Sequence, residues 1–156
     1  MTISNRLGQR WALLVLALVL TSAPTLIQAQ SIGVVKSVQG SALIGRGSET
    51  LEARVGTDLL EGDTLQTLAG ASLGATLADG TTISLGERSR ATVRNFAFSP
   101  RRDLFDLLIR VLSGRFLYTS GRIGETRPDR VTIETPQLTV ATRGTRFALI
   151  LPKDPL

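Results

Sequence analysis

The sequence predicts an all-β fold made of many short strands, and two observations carry that expectation. Apolar residues recur at a spacing of two along most of the chain, the period of a half-buried strand, and Gly, Asp, Ser and Pro interrupt the runs every few residues. After the first segment no stretch holds an unambiguous helical period. Strands this short and closely spaced suit a sandwich, a barrel or a solenoid. Gly and Asp at the corners incline the reading toward a β-solenoid or β-helix, with a sandwich as the alternative.

The first 29 residues stand apart. Arg6 and Arg10 are their only charges and precede an apolar run from Trp11 to Leu20, which Thr21, Ser22 and Pro24 break. Ile27-Gln28-Ala29 then offers a small residue at a cleavage position. A basic start, a short apolar stretch and a small-residue site describe an N-terminal signal-peptide helix, cleaved after Ala29. The alternative is an uncleaved anchor, but a membrane span needs about 20 apolar residues. The expected division is therefore 1–29 as signal peptide and 30–156 as one β domain, in the periplasm or secreted.

Composition excludes several chemistries. The 156 residues contain no cysteine and no histidine. Disulfides, thiol nucleophiles, zinc-thiolate sites and lipoprotein modification are ruled out, and so are the commonest general base and metal ligand. The 18 basic and 13 acidic residues give a formal net charge of +5, part of which leaves with Arg6 and Arg10. The remaining basic residues are scattered, with only Arg101 and Arg102 adjacent, and aromatics are too few for base stacking. No nucleic-acid partner is expected.

In order along the chain, Ile32–Val38 and Ala42–Ile44 are the first strand candidates, divided by Gly40, and Gly45–Ser48 is a turn. Leu51–Val55 is a weaker strand. Leu59 and Leu60 lead into the Glu61-Gly62-Asp63 turn, after which Thr64–Leu68 is extended. Leu73, Ala75 and Leu77 alternate toward Asp79-Gly80, and Ile83 and Leu85 alternate beyond it, a hairpin with a type I′ turn. Ala91–Phe98 changes phase between Val93 and Phe96, which predicts a bulge near Asn95. Asp103–Leu112 fits a helical or an extended face; Gly114 and the following Phe116-Leu117-Tyr118 favour a strand, with one helical turn near Arg101–Asp106. Thr119–Asp129 reads as a polar loop. Val131 with Ile133, Leu138 with Val140, and Phe147 with Leu149 and Leu151 form the last strands, separated by Pro136 and Gly144.

Four segments together resemble the FecR domain. They are Gly62-Asp63-Thr64 with Thr67; Leu77-Ala78-Asp79-Gly80-Thr81-Thr82-Ile83-Ser84-Leu85-Gly86; Val111-Leu112-Ser113-Gly114-Arg115-Phe116; and Ile133-Glu134-Thr135-Pro136 with Val140-Ala141-Thr142-Arg143-Gly144-Thr145. Phe116–Gly121 is similar to stand-alone members. The resemblance implies an exported bacterial domain that binds and relays rather than catalyses, with a protein or a cell-envelope component as partner, as in iron-siderophore signalling. Only Met1–Arg10 precedes the apolar run, so a direct anti-sigma role is not expected. The competing reading is a structural or adhesive envelope module. Membrane contact is expected only through an uncleaved anchor, and no cofactor is expected.

Candidate sites are few. Gly70-Ala71-Ser72-Leu73-Gly74 has the spacing of a nucleophile elbow, but Ser72 sits in an alternating strand and no histidine is available. The pairs Glu61–Asp63, Asp79–Glu87 and Asp103–Asp106 could hydrolyse a glycoside or hold a cation if they converged, but turn-capping is the commoner use of such aspartates. Arg143-Gly144-Thr145-Arg146 places two guanidiniums about a glycine turn, able to hold a carboxylate. In the structural alternative Arg143 pairs with a neighbour such as Glu134. Gly62, Asp63, Asp79, Gly80, Gly114 and Pro136 are expected to shape turns.

Overall fold

The computed structural model describes residues 30–137, 139–141 and 146–153; the predicted signal helix lies outside them. The strands are β1 (Gly33–Gln39), β2 (Ala42–Arg46), β3 (Glu49–Glu52), β4 (Asp58–Leu59), β5 (Thr64–Thr67), β6 (Ser72–Leu77), β7 (Thr82–Leu85), β8 (Arg90–Ser99), β9 (Leu104–Ser113), β10 (Arg115–Thr119), β11 (Val131–Glu134), β12 (Thr139–Ala141) and β13 (Arg146–Ile150). They form a six-stranded sheet, β13-β10-β7-β6-β1-β4, and a seven-stranded sheet, β12-β11-β9-β8-β5-β2-β3. One buried cluster joins them: Val35, Leu73, Ile83, Leu85 and Phe116 from the first sheet meet Ile44, Leu65, Val93, Ile109 and Ile133 from the second. This is a sandwich, with alternate residues of strands such as β5, β6, β7 and β11 turned inward. The solenoid preference gives way because the ladders are antiparallel throughout except for β9 with β11. A solenoid coil needs parallel stacking on the previous turn.

The sequence reading holds for most strands, and the departures have local causes. β6 and β7 form the expected hairpin, but the turn is centred on Ala78 and Asp79. The Gly80 amide donates to the Leu77 carbonyl, and only Gly80 takes a positive φ, +89°. That is a type I turn followed by a left-handed glycine rather than type I′. The register of β8 against β9 shifts between Val93 and Asn95, the expected bulge. β3 ends at Glu52, and Val55 lies 67% exposed beyond it. The helical turn near Arg101 is a 3-10 turn over Pro100–Arg102, closed by Asp103 at φ +50°.

The predicted polar loop is the clearest correction. It contains a short helix, α1 (Arg122–Thr126), and a 3-10 turn over Pro128–Arg130. Ile123 is its only fully buried apolar side chain, so no periodic pattern announces the helix.

Gly114 makes the crossing from β9 to β10, at φ +79°. A Cβ there would stand 2.6 Å from the Arg88 carbonyl oxygen and run into the Ser89 hydroxyl. Gly114→Ala is therefore expected to cost about 2–4 kcal/mol, combining left-handed strain with overpacking. Gly47→Ala, with φ +59° and nothing within 4 Å, should cost only about 1 kcal/mol. Urea denaturation of the two variants checks the difference; equal losses would show that the close approach at Gly114 is unimportant.

Candidate functional site

Two buried carboxylates organise the loops at the ends of the sandwich. Asp63 is 1% exposed and accepts from Arg46 Nε at 2.9 Å, from Arg46 Nη2 at 2.7 Å and from the Leu60 amide at 2.9 Å. Arg46 Nη2 also reaches the Asp58 carbonyl oxygen, at 2.8 Å. The fork-on-carboxylate geometry raises the Arg46 pKa above its ordinary value, with the hydrogen bond to Asp63 as the largest cause. Gly62 turns the chain at φ +87° just before Asp63.

Asp79 does the same for α1. Its Oδ1 accepts from the Thr81 amide at 3.0 Å, and its Oδ2 from the Thr81 hydroxyl at 2.7 Å and the Ile123 amide at 3.2 Å. The Asp79 carbonyl takes the Arg122 amide, and Thr81 Oγ1 takes the Gly121 amide. The start of a five-residue helix is thus bound to the β6–β7 turn by side chain and backbone together. Beside it Tyr118 is fully buried, and its hydroxyl has no hydrogen-bond partner among the described residues.

The remaining carboxylates are dispersed. Glu61 accepts from the Phe96 amide, Glu87 from Lys153 and Arg115, Asp103 from Arg127 and Asp106 from Asn95. None of the three sequence-predicted pairs shares a set of contacts. No group of three or more potential metal ligands occurs among the described residues. Ser72 lies in β6, inside a strand.

Of the Arg143–Arg146 quartet, Arg143, Gly144 and Thr145 lie outside the described residues, as does Leu138. Arg146 opens β13, is exposed, and its Nε donates to Thr119 Oγ1 at 3.3 Å. Glu134, suggested above as a partner for Arg143, receives Arg110 at 2.9 Å. Pro136 is exposed in the bend between β11 and β12.

The feature not visible in the sequence is the position of β13 at the rim of its sheet. Among the described residues it pairs only with β10, from Arg115–Ile150 to Thr119–Arg146. Phe147 stacks on Tyr118 with ring centroids 5.0 Å apart, and Leu149 is half-buried, so these two anchor the strand. Leu151 donates to the Gly114 carbonyl. Antiparallel alternation then sends the N–H and C=O groups of Ala148 and Ile150 away from β10, to the open edge. Ala148 is exposed and Ile150 is 80% exposed. Arg146 and Lys153 flank the strip, and Lys153 is held by Glu87 at 2.7 Å.

The family model described as FecR protein matches residues 63–155, more than half of the chain. No curated protein and no solved structure matches it. The matched segment starts at the buried Asp63, but β1 and β2, before it, occupy interior places in the two sheets.

Two measurements test this geometry. Arg46→Ala leaves Asp63 buried without its cation and should cost about 3 kcal/mol in urea denaturation, whereas Arg54→Ala, at an exposed pair with Glu52, should change little. Burial pushes the Tyr118 phenol above its ordinary pKa, and the nearby Ser120 and Thr81 hydroxyls offset this only in part. A folded-state pKa above the unfolded one means that stability is complete below about pH 10 and declines as pH rises beyond it. Tyr118 is the chain's one tyrosine, so its near-ultraviolet tyrosinate absorbance reports the shift directly. Tyr118→Phe should remove this part of the alkaline loss; titration at the ordinary phenol pKa in the folded protein would contradict the burial.

Proposed function

The chain belongs to the FecR family, whose domains occur in bacterial envelope proteins and are associated with envelope signalling, and from that premise we propose that it is an exported, periplasmic, non-catalytic domain that docks a partner protein along β13. The single observation that carries the reading is the open edge of β13, whose outward ladder groups have no partner among the described residues and lie beside the exposed side chains of Ala148 and Ile150. An extended segment of a partner laid antiparallel along it would extend the six-stranded sheet, with main-chain hydrogen bonds supplying affinity and outward side chains supplying selectivity. The strip is short and flanked by Arg146, Pro152 and Lys153, features that limit indiscriminate edge pairing.

Two further points support binding over catalysis. The carboxylates that could have acted in pairs are spent on separate contacts. With no histidine or cysteine in the chain, the familiar nucleophile–base arrangements are unavailable. The signal-like segment of 1–29 supports export.

The test is cross-linking in bacterial envelope fractions with the wild-type protein and with Ala148→Pro. Proline at this edge position removes an outward N–H without touching the β10 ladder. Wild type is expected to capture a defined envelope protein and the variant to lose at least tenfold of that capture at an unchanged unfolding midpoint. Undiminished capture by the variant, or recovery of peptidoglycan-linked material alone, would replace docking at β13 with a structural role.

A further inference from the structure

At one end of the sandwich the β8–β9 ribbon runs past the strand that covers its flank. β8 pairs with β5 from Arg90 to Thr92, and just beyond it the Val93 amide donates to the Asp63 carbonyl while the Val93 carbonyl accepts from the Gly62 amide. Gly62 then turns the β5 side of the chain away, while β8 continues to Ser99 with β9 on its other side. The space left open is a cleft of about 830 Å³, walled by Ile32, Leu60, Ala78, Phe96 and Phe98, with Arg102 at its rim.

The hydrogen-bonding state of that wall is specific. The Phe96 amide donates away from β9, to Glu61 Oε2 at 3.0 Å. A side-chain carboxylate thus stands where a neighbouring strand's carbonyl would be. Alternation along an antiparallel strand then directs the Phe96 carbonyl and both backbone groups of Phe98 into the cleft. Ala97 and Ser99, out of phase, face β9.

We propose that this cleft receives an extended acidic peptide segment, which adds to β8 as a strand in line with β5. The main-chain half follows from the Phe96 carbonyl and the Phe98 amide and carbonyl, which have no ladder partner among the described residues, since a strand is the ligand whose donors and acceptors repeat at that spacing. The acidic half follows from the charges that face the space. Arg46 and Asp63 satisfy each other, and Glu61 is committed to the Phe96 amide at the inner end. Arg102 is held by Ser99 Oγ through Nε at 3.0 Å. It has no carboxylate partner among the described residues, so its terminal nitrogens are presented at the outer end. Arg101 is exposed beside it. A carboxylate side chain on the added strand would lie at that end and accept from the Arg102 fork. A second copy would have to insert a rim strand of its own: β13 opens with Arg146, and the acidic rim strand β3 has Glu52 held by Arg54, so a separate acidic segment fits better. This site belongs to the seven-stranded sheet and does not depend on docking at β13.

The probe is an acetylated and amidated heptapeptide of alternating Val and Glu, titrated into 15N-labelled protein purified from the periplasm. Controls carry Lys for Glu, or Pro at the centre. Binding is expected to move the amide signals of Gly62 and Phe96–Ser99, to slow hydrogen exchange at the Phe98 amide at least tenfold, and to weaken at least tenfold with either control. Arg102→Glu should reverse the preference between the Glu and Lys peptides, and Ala148→Pro should leave binding unchanged. No binding, unaltered Phe98 exchange at saturation, equal binding of the Lys peptide, or shifts confined to Arg146–Ile150 would each overturn the proposal. So would slowed Phe98 exchange in concentrated protein alone, which would put a second copy in the cleft.

Discussion

Each sheet has one apolar face that only the other sheet can cover, and the rest of the molecule follows from that constraint. Inward residues such as Val35, Leu73 and Ile83 on one layer, and Leu65, Val93 and Ile109 on the other, are 0–2% exposed. Burying them together removes from water the area that holds a domain of this size folded. The chain meets the constraint by passing back and forth between layers instead of completing one sheet first. Each passage must be tight. Gly114 is tight enough that a methyl group would meet the Arg88 carbonyl and the Ser89 hydroxyl.

The buried polar groups are answers to the same demand. A turn within a layer or a passage between layers leaves backbone amides without ladder partners, and a buried amide must find an acceptor. Asp63 supplies one for Leu60, and Asp79 supplies them for Thr81 and Ile123. Asp63 in turn requires Arg46, because a lone buried carboxylate is costly. The Gly-Asp-Thr and Asp-Gly-Thr motifs that mark the family resemblance therefore hold the fold at the ends of strands. The proposed docking uses strand edges instead, where ladder groups have no partner among the described residues.

Much of this was legible from the residues, and what was not has physical reasons. The period-two runs located nearly all the strands, because each has one buried and one open face; β6, with buried Leu73, Ala75 and Leu77, is the clearest. The phase slip between Val93 and Phe96 disclosed the bulge. Pairing was another matter. Whether a short strand meets its sequence neighbour in a coil or crosses to another layer depends on contacts between distant residues, so solenoid and sandwich looked alike. α1 stayed hidden because it has one buried apolar residue and takes its capping from Asp79, more than forty positions earlier. The open edge of β13 and the bare flank of β8 are properties of neighbours that are missing, and a local pattern does not register a missing neighbour. Arg146 was singled out from its charge; what places it on a rim is the order of strands.

The parallel pairing of β9 with β11 carries a consequence for how the molecule assembles. Between these two strands the chain leaves for the other layer to form β10 and returns through α1. β11 therefore cannot join by simple zipping of a hairpin. Closing that long excursion costs chain entropy before the contacts repay it, and such non-local pairing is slow. β13 in turn needs β10 already in place to lie against. The rim proposed for docking is thus expected among the last parts to become ordered, so an incomplete chain would have no such rim to offer. On the proposed reading, order of assembly would act as a timer, withholding contact until the domain is whole.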